Sequence, residues 1–217
     1  MQHWLLFKIK QLFLLNITMN LIKHRDRICN DLITQGWVLL DDFFEPELIQ
    51  LLAHECQLQH QLGLLNEAGI GREQQHQVEK SIRGDQIRWL EPGMADCVDV
   101  YLTHLEKLRK FFNKQLFLGL EDTENHFAYY PKGAFYQKHV DCFHQSDSRV
   151  ISSVLYLNPD WQPKHGGELR LHIEDLREDI EPIANRFVMF ISAKILHEVL
   201  PTTVERMSLT GWFRRNN

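Results

Sequence analysis

The chain has 217 residues, 44% of them hydrophobic, and a formal net charge of −5 at pH 7. That is enough apolar material for one well-buried core, and the length fits one domain better than two. Acidic and basic residues alternate along the chain with no basic run beyond Arg214–Arg215, so nothing favours binding nucleic acid through its phosphates. The four cysteines, Cys29, Cys56, Cys97 and Cys142, form no C-x-x-C pair, which argues against a zinc ribbon or disulfide framework and fits a reducing cytoplasm.

Residues 1–18, MQHWLLFKIKQLFLLNIT, hold an apolar run interrupted by Lys8 and Lys10. The run is too short to span a bilayer, and no small-x-small cleavage site follows it. It reads as a loosely attached extension or an over-extended start, with residues 19–217 forming a single domain. From Asn20, the spacing of Leu21, Ile28, Leu32 and Ile33 predicts a helix that stops at Gly36. A strand over Trp37–Phe43 follows, then a helix opened by Pro46 and closed at Gly63, and a third, amphipathic helix over Asp96–Phe117.

After Glu124 the texture changes to short apolar or alternating runs: NHFAYYP, AFYQKHV, RVISSVLYLN, GELRLHI, NRFVMFIS, ILHEVLP and RMSLTGWF. Close spacing and turn signals at Pro131, Gly133, Pro159 and Gly166–Gly167 point to a sandwich or barrel of the jelly-roll kind. The expected fold class is therefore α+β, with a double-stranded β-helix (jelly roll) core behind supporting N-terminal helices.

Within YQKHVDCFHQ, His139 and Asp141 stand two apart, so on a strand they would project from one face. H-x-D is a short pattern, and His24–Asp26 repeats it on what reads as an exposed helix face. A late strand of a jelly roll returns beside an early one, which offers His197 as a third ligand. Two imidazoles and one carboxylate make a facial triad suited to non-haem Fe(II), with positions left open for other ligands. Nine residues on, Arg206 shares a strand face with Ser208, Thr210 and Trp212. A buried arginine there would need an anion, and its fork matches a carboxylate; by itself it reads better as half of a surface ion pair.

H-x-D, a distal histidine and an arginine nine residues later resemble the 2-oxoglutarate and Fe(II)-dependent dioxygenases. The likeness sharpens to the prolyl 4-hydroxylases, especially the hypoxia-sensing type of animals and its bacterial relatives, through IRGDQIRWLEPG (82–93), YYPKGAFYQKHVD (129–141), LYLNPDW (155–161), GGELR (166–170), IEP (180–182) and HEVLPTTVERMSLTGWF (197–213). The resemblance runs from about Trp37 to the C-terminus. It implies that His139, Asp141 and His197 ligate Fe(II), and that Arg206 and Tyr156 bind the distal carboxylate of 2-oxoglutarate. Tyr130 and Thr210 then line the cosubstrate pocket, and Trp212, Tyr136, Arg149, Arg83 and Asp85 face the substrate.

The implied reaction consumes O2 and 2-oxoglutarate, releases succinate and CO2, and hydroxylates a prolyl residue, with ascorbate as reductant. The implied partner is a proline-containing protein or peptide in the cytoplasm, with the translation machinery as one source of targets. Cys142–Ser148 lack the glycine-rich loop of the animal enzymes, and the chain stops at Asn217 without their C-terminal helix, so hypoxia signalling is not expected to carry over. The resemblance also implies that Asp85 pairs with Arg149 to fix a lid over Gly69–Ser81. Hydroxylation of a free amino acid or other small molecule is the alternative within enzymes. A non-enzymatic jelly roll holding structural zinc is the alternative outside them, although such zinc normally has a closed tetrahedral shell.

Overall fold

The computed structural model describes residues 19–69, 81–142 and 148–216. The expected extension over residues 1–18, most of the expected lid stretch and residues 143–147 of CFHQSDS lie outside them. Three helices, α1 (Leu21–Thr34), α2 (Pro46–Gln61) and α3 (Asp96–Leu116), occupy the predicted places. Pro46 sits in the first turn of α2, where its missing N–H costs nothing. Gly63 just beyond that helix takes a positive φ of 66°, which a residue without Cβ adopts freely.

The strands are β1 (Trp37–Asp41), β2 (Asn66–Glu67), β3 (Gln86–Trp89), β4 (Asp122–Tyr130), β5 (Tyr136–His139), β6 (Arg149–Tyr156), β7 (Leu169–Ile173), β8 (Leu176–Ile180), β9 (Arg186–Ile191), β10 (Leu196–Val199) and β11 (Arg206–Arg214). They form a larger sheet in the order β1-β9-β6-β11-β4-β3-β2 and a smaller one in the order β5-β10-β7-β8. Neighbours run antiparallel throughout. This is the double-stranded β-helix expected from the sequence.

Both faces of the larger sheet are covered. One face carries Phe127, Ile151, Leu155, Phe187, Met189, Leu209 and Phe213, which pack with Ile28, Leu52, Tyr101, Leu105 and Phe112 of the three helices. The other carries Ala128, Tyr130, Val154, Tyr156, Val188 and Phe190, which meet Leu169, Leu171, Ile180 and Val199 of the smaller sheet. Period-two alternation thus sends successive residues of β4, β6 and β9 into two different cores, and double burial explains why these segments read as nearly continuous apolar runs. The functional side chains project between the sheets, on the second face.

Three strands lacked a readable signal. β2 has two residues, and four of the five residues of β8 are exposed at a sheet edge, so neither offers an apolar period. β3 lies past the expected lid in a segment with no alternating apolar period, and its backbone is laddered to β4, Gln86 opposite Tyr129 and Trp89 opposite His126. The second H-x-D match also differs in detail. Asp26 is exposed, but His24 is half-buried with its ring 6.1 Å from that of Phe43, remote in the chain from the strands that carry the site. No helix among the described residues is long and apolar enough to cross a membrane.

Candidate metal and cosubstrate site

His139 ends β5 and His197 lies directly opposite it on β10, so the two imidazoles are cross-strand neighbours with ring centroids 4.3 Å apart. Asp141 is not on the strand, as the H-x-D pattern had suggested, but in a bend just past its end. Even so, the carboxylate returns to both rings: Asp141 Oδ1 lies 3.6 Å from His139 Nε2 and Oδ2 lies 3.7 Å from His197 Nε2. One ligand atom from each of the three residues falls within 4.8 Å of the others, a spacing that could hold a metal ion.

Backbone carbonyls orient both rings. His139 Nδ1 donates to Gln137 O at 2.7 Å and His197 Nδ1 to Ile195 O at 3.0 Å, in each case the carbonyl two residues back. With the proton on Nδ1, each Nε2 presents its lone pair to the centre, which is the usual support for a metal-ligating histidine. Burial pushes the pKa of His197 down to about 4, against the opposing pull of Asp141, so that ring is neutral at pH 7. Burial also works to raise the Asp141 carboxyl, but His197, His139 and the Ser152 hydroxyl outweigh it and hold the group well below the ordinary carboxylate range. Two imidazoles and an ionised carboxylate suit Fe(II) and would leave room for further ligands on the cavity side.

Arg206 is 1% exposed and is the largest fully buried side chain described. Its Nε donates to Gly167 O at 2.8 Å, Nη1 makes a long 3.5 Å contact with Ser208 Oγ, and the guanidinium lies over the rings of Tyr130 (4.7 Å) and Tyr156 (5.1 Å). No carboxylate is paired with it among the described residues, which removes the surface ion-pair reading. The Tyr156 hydroxyl beside it is buried and finds no acceptor for its proton among the described residues, and burial, opposed by the neighbouring Arg206, pushes its pKa up to about 12. A buried fork and an unsatisfied phenol need an anionic acceptor. The carboxylate of a small dicarboxylic acid fits that donor set.

A cavity of about 210 Å³ joins this seat to the His139–Asp141–His197 cluster. Every residue singled out from the sequence lines it except Tyr156, which is fully buried beside Arg206. The ion pairs at its mouth differ from expectation. Asp85 takes both its bonds from Arg83, at 2.7 and 2.6 Å, and Arg83 also lies over the Tyr136 ring at 4.3 Å. Arg149 pairs with Glu124 at 2.8 Å and covers the Trp212 ring at 3.6 Å. The expected Asp85–Arg149 clamp is therefore replaced by two local pairs. The reason is geometric: Arg83 and Asp85 are two apart in an extended segment and share a face, while Glu124 lies opposite Trp212 in the sheet register.

The sequence reading missed two wall residues, Trp89 and His126. Their rings meet edge-on at 5.1 Å, and His126 is buried 5.6 Å from Trp212. Counting back by twos from Tyr130 along β4 would have placed His126 on the cavity face. It also missed Ser152, whose hydroxyl bonds Asp141, because that contact crosses from a loop to a strand with no fixed spacing.

A family model described as the 2OG-Fe(II) oxygenase superfamily matches residues 125–214. Human Egl nine homolog 1 is 31% identical over 187 residues, covering 82% of this chain, but the chain spans only 43% of that protein. The mouse prolyl hydroxylase EGLN3 is 29% identical, and 78% of it is covered. Among solved structures, a Pseudomonas putida prolyl-4-hydroxylase superposes with a TM-score of 0.83 at 47% identity, covering 88% of this chain and all of the other. A Trichoplax adhaerens prolyl hydroxylase, solved with a peptide fragment of the hypoxia inducible factor oxygen degradation domain, superposes at 0.79 with 25% identity, covering 87% and 88%. With the triad, the carboxylate seat and the fold in agreement, the chain belongs to the Fe(II)- and 2-oxoglutarate-dependent dioxygenases, in their prolyl 4-hydroxylase family.

Proposed function

We propose that this protein hydroxylates a prolyl residue in a protein or peptide, using O2 and 2-oxoglutarate and releasing succinate and CO2. The observation that carries the reading is one cavity with two built ends: His139, Asp141 and His197 at one, and Arg206 with the unsatisfied Tyr156 hydroxyl at the other. A dicarboxylic acid that reaches both ends satisfies the buried arginine and still leaves the triad facing the open cavity. Fe(II), when bound, would activate O2, the oxidant of the reaction, which no side chain can do. The chain's own residues orient the metal ligands and seat the distal carboxylate. A closed tetrahedral zinc site would have no use for the Arg206 seat.

The prolyl substrate is supported by the relatives, whose names describe prolyl hydroxylases, one of them solved with a peptide. Trp89 and Trp212 line the cavity with aromatic surface for a pyrrolidine ring and its neighbours, with Arg149 over the Trp212 ring and Arg83 over that of Tyr136. Ascorbate as reductant, a cytoplasmic setting and a target in the translation machinery complete the proposal. The test is to incubate purified protein with Fe(II), 2-oxoglutarate and ascorbate in cell lysate, then search for proline heavier by one oxygen atom. Alanine at His139, Asp141 or His197 should abolish that product and succinate formation while the chain stays folded. Near-native turnover in any of these variants would sink the assignment.

A further inference from the structure

The two histidines and the aspartate of the metal cluster are anchored differently. His139 and His197 are held by strand pairing in the smaller sheet, whereas Asp141 lies past the end of β5 with no ladder of its own. What fixes its carboxylate comes from the larger sheet. Ser152 on β6 donates to Asp141 Oδ2 at 2.6 Å, and the hydroxyl of Ser192, immediately after β9, lies 2.9 Å from that of Ser152. Both serines are 0% exposed. Ser192 is itself tied to β6 by its backbone N–H, which donates to Val150 O at 3.1 Å.

Proton accounting gives this chain a direction. An ionised carboxylate only accepts, so the single hydroxyl proton of Ser152 is committed to Asp141. The 2.9 Å contact can then be satisfied only if Ser192 donates to Ser152. Each bond polarises the next, which strengthens the last one. The result is a carboxylate with one oxygen occupied by a hydroxyl and the other, Oδ1, free beside His139 Nε2.

We propose that Ser152 is a positioning residue that keeps Asp141 a one-oxygen metal ligand, and that Ser192 orients the Ser152 hydroxyl for the task. The inference rests on the metal-centre reading above. Three single-atom protein ligands would leave room on the metal for a chelating 2-oxoglutarate and O2. A carboxylate free to swing and chelate with both oxygens would take up part of that room. The serine pair also locks the two sheets in the relative position that the cluster needs, since it ties a ligand beside the smaller sheet to the frame of the larger.

The test uses Mn(II), a redox-stable divalent ion, titrated calorimetrically into the metal-free protein, and then 2-oxoglutarate titrated into the Mn(II) form. Ser152→Ala should weaken Mn(II) binding about 10- to 100-fold, the usual cost of losing a group that orients a ligand, and should weaken 2-oxoglutarate binding to the loaded protein. Ser192→Ala should shift both in the same direction by less, and Ser152→Thr, which keeps the hydroxyl, should recover most of the Mn(II) affinity. If Ser152→Ala does not fold, Ser192→Ala decides, and parental Mn(II) affinity there overturns the proposal. Parental affinity in a folded Ser152→Ala, with only a lowered melting temperature, likewise overturns it and makes Ser152 a core filler. If the parent itself binds no Mn(II), the metal-centre reading falls and this inference falls with it.

Discussion

Arg206→Met separates the cosubstrate role of this residue from its contribution to the fold. Arg206 is 1% exposed, its guanidinium has one short bond, to Gly167 O, and no carboxylate faces it among the described residues. Without 2-oxoglutarate, therefore, the protein carries a buried charge that is poorly compensated. Methionine removes that desolvation cost but leaves the Gly167 carbonyl unbonded, a loss of about 1–3 kcal/mol. The opposing effects should keep the ligand-free variant within about 2 kcal/mol of the parent. With ligand present the balance changes. Losing one partner of a buried charged pair costs about 2–5 kcal/mol of binding, which raises the dissociation constant by roughly 1.5 to 3.5 powers of ten at 1.4 kcal/mol each. At a hundredfold excess of 2-oxoglutarate over its parental dissociation constant, the Mn(II)-loaded parent should gain about 2.7 kcal/mol. For a chain of this size that is roughly 5–10 °C in melting temperature. The variant should gain almost nothing under the same conditions. A retained ligand-dependent shift would mean that the carboxylate binds elsewhere, and collapse of the ligand-free variant would make Arg206 a structural residue.

Gly167 supports that arginine from below: at φ 72°, a Cβ there would lie 3.1 Å from Arg206 Cδ and 3.1 Å from Thr202 Cβ. Gly167→Ala should cost about 1–2 kcal/mol of stability from its left-handed backbone alone, and should raise the 2-oxoglutarate requirement while Mn(II) affinity holds. Unchanged cosubstrate affinity would show that the seat yields without moving Arg206. His126 makes a pH prediction. Burial lowers its pKa to about 4, so between pH 6.5 and 4 the unfolded chain takes up a proton that the folded one refuses. Its contribution to stability is complete above pH 6.5 and falls as the pH drops, by about 2 kcal/mol between pH 7 and pH 5. His126→Phe keeps an aromatic ring between Trp89 and Trp212 but does not titrate. In urea unfolding of the metal-free protein at the two pH values, the variant should lose that much less stability than the parent; equal losses in both would refute the assignment.

Most of the architecture was legible because burial leaves a period. The three helices showed their apolar stripes and stops, and eight strands showed apolar or alternating runs, most of which the two cores explain. β8 was invisible for the opposite reason: an edge strand with four of its five residues in solvent has no apolar pattern to read. β3 shows a different limit. Its pairing with β4 lies in hydrogen bonds made by the backbone, which residue identity alone does not reveal.

The same distinction runs through the site. Arg206, Ser208, Thr210 and Trp212 all line the cavity, as their spacing of two along β11 required. The Asp85–Arg149 pairing that the resemblance implies does not form, because each charge has a nearer partner. Arg83 and Asp85 also stand two apart in an extended segment, so a local bidentate pair was the simpler expectation, and it is the one that forms. Where two charges can meet through the period of one segment, a distant partner must overcome a closure already made. Arg149, held by Glu124 and lying over Trp212, has no such incentive to leave. The Ser152–Asp141 bond lies at the other extreme. It joins a strand of one sheet to a bend leaving the other, so it depends on how the sheets stack and no period within a single segment could have announced it.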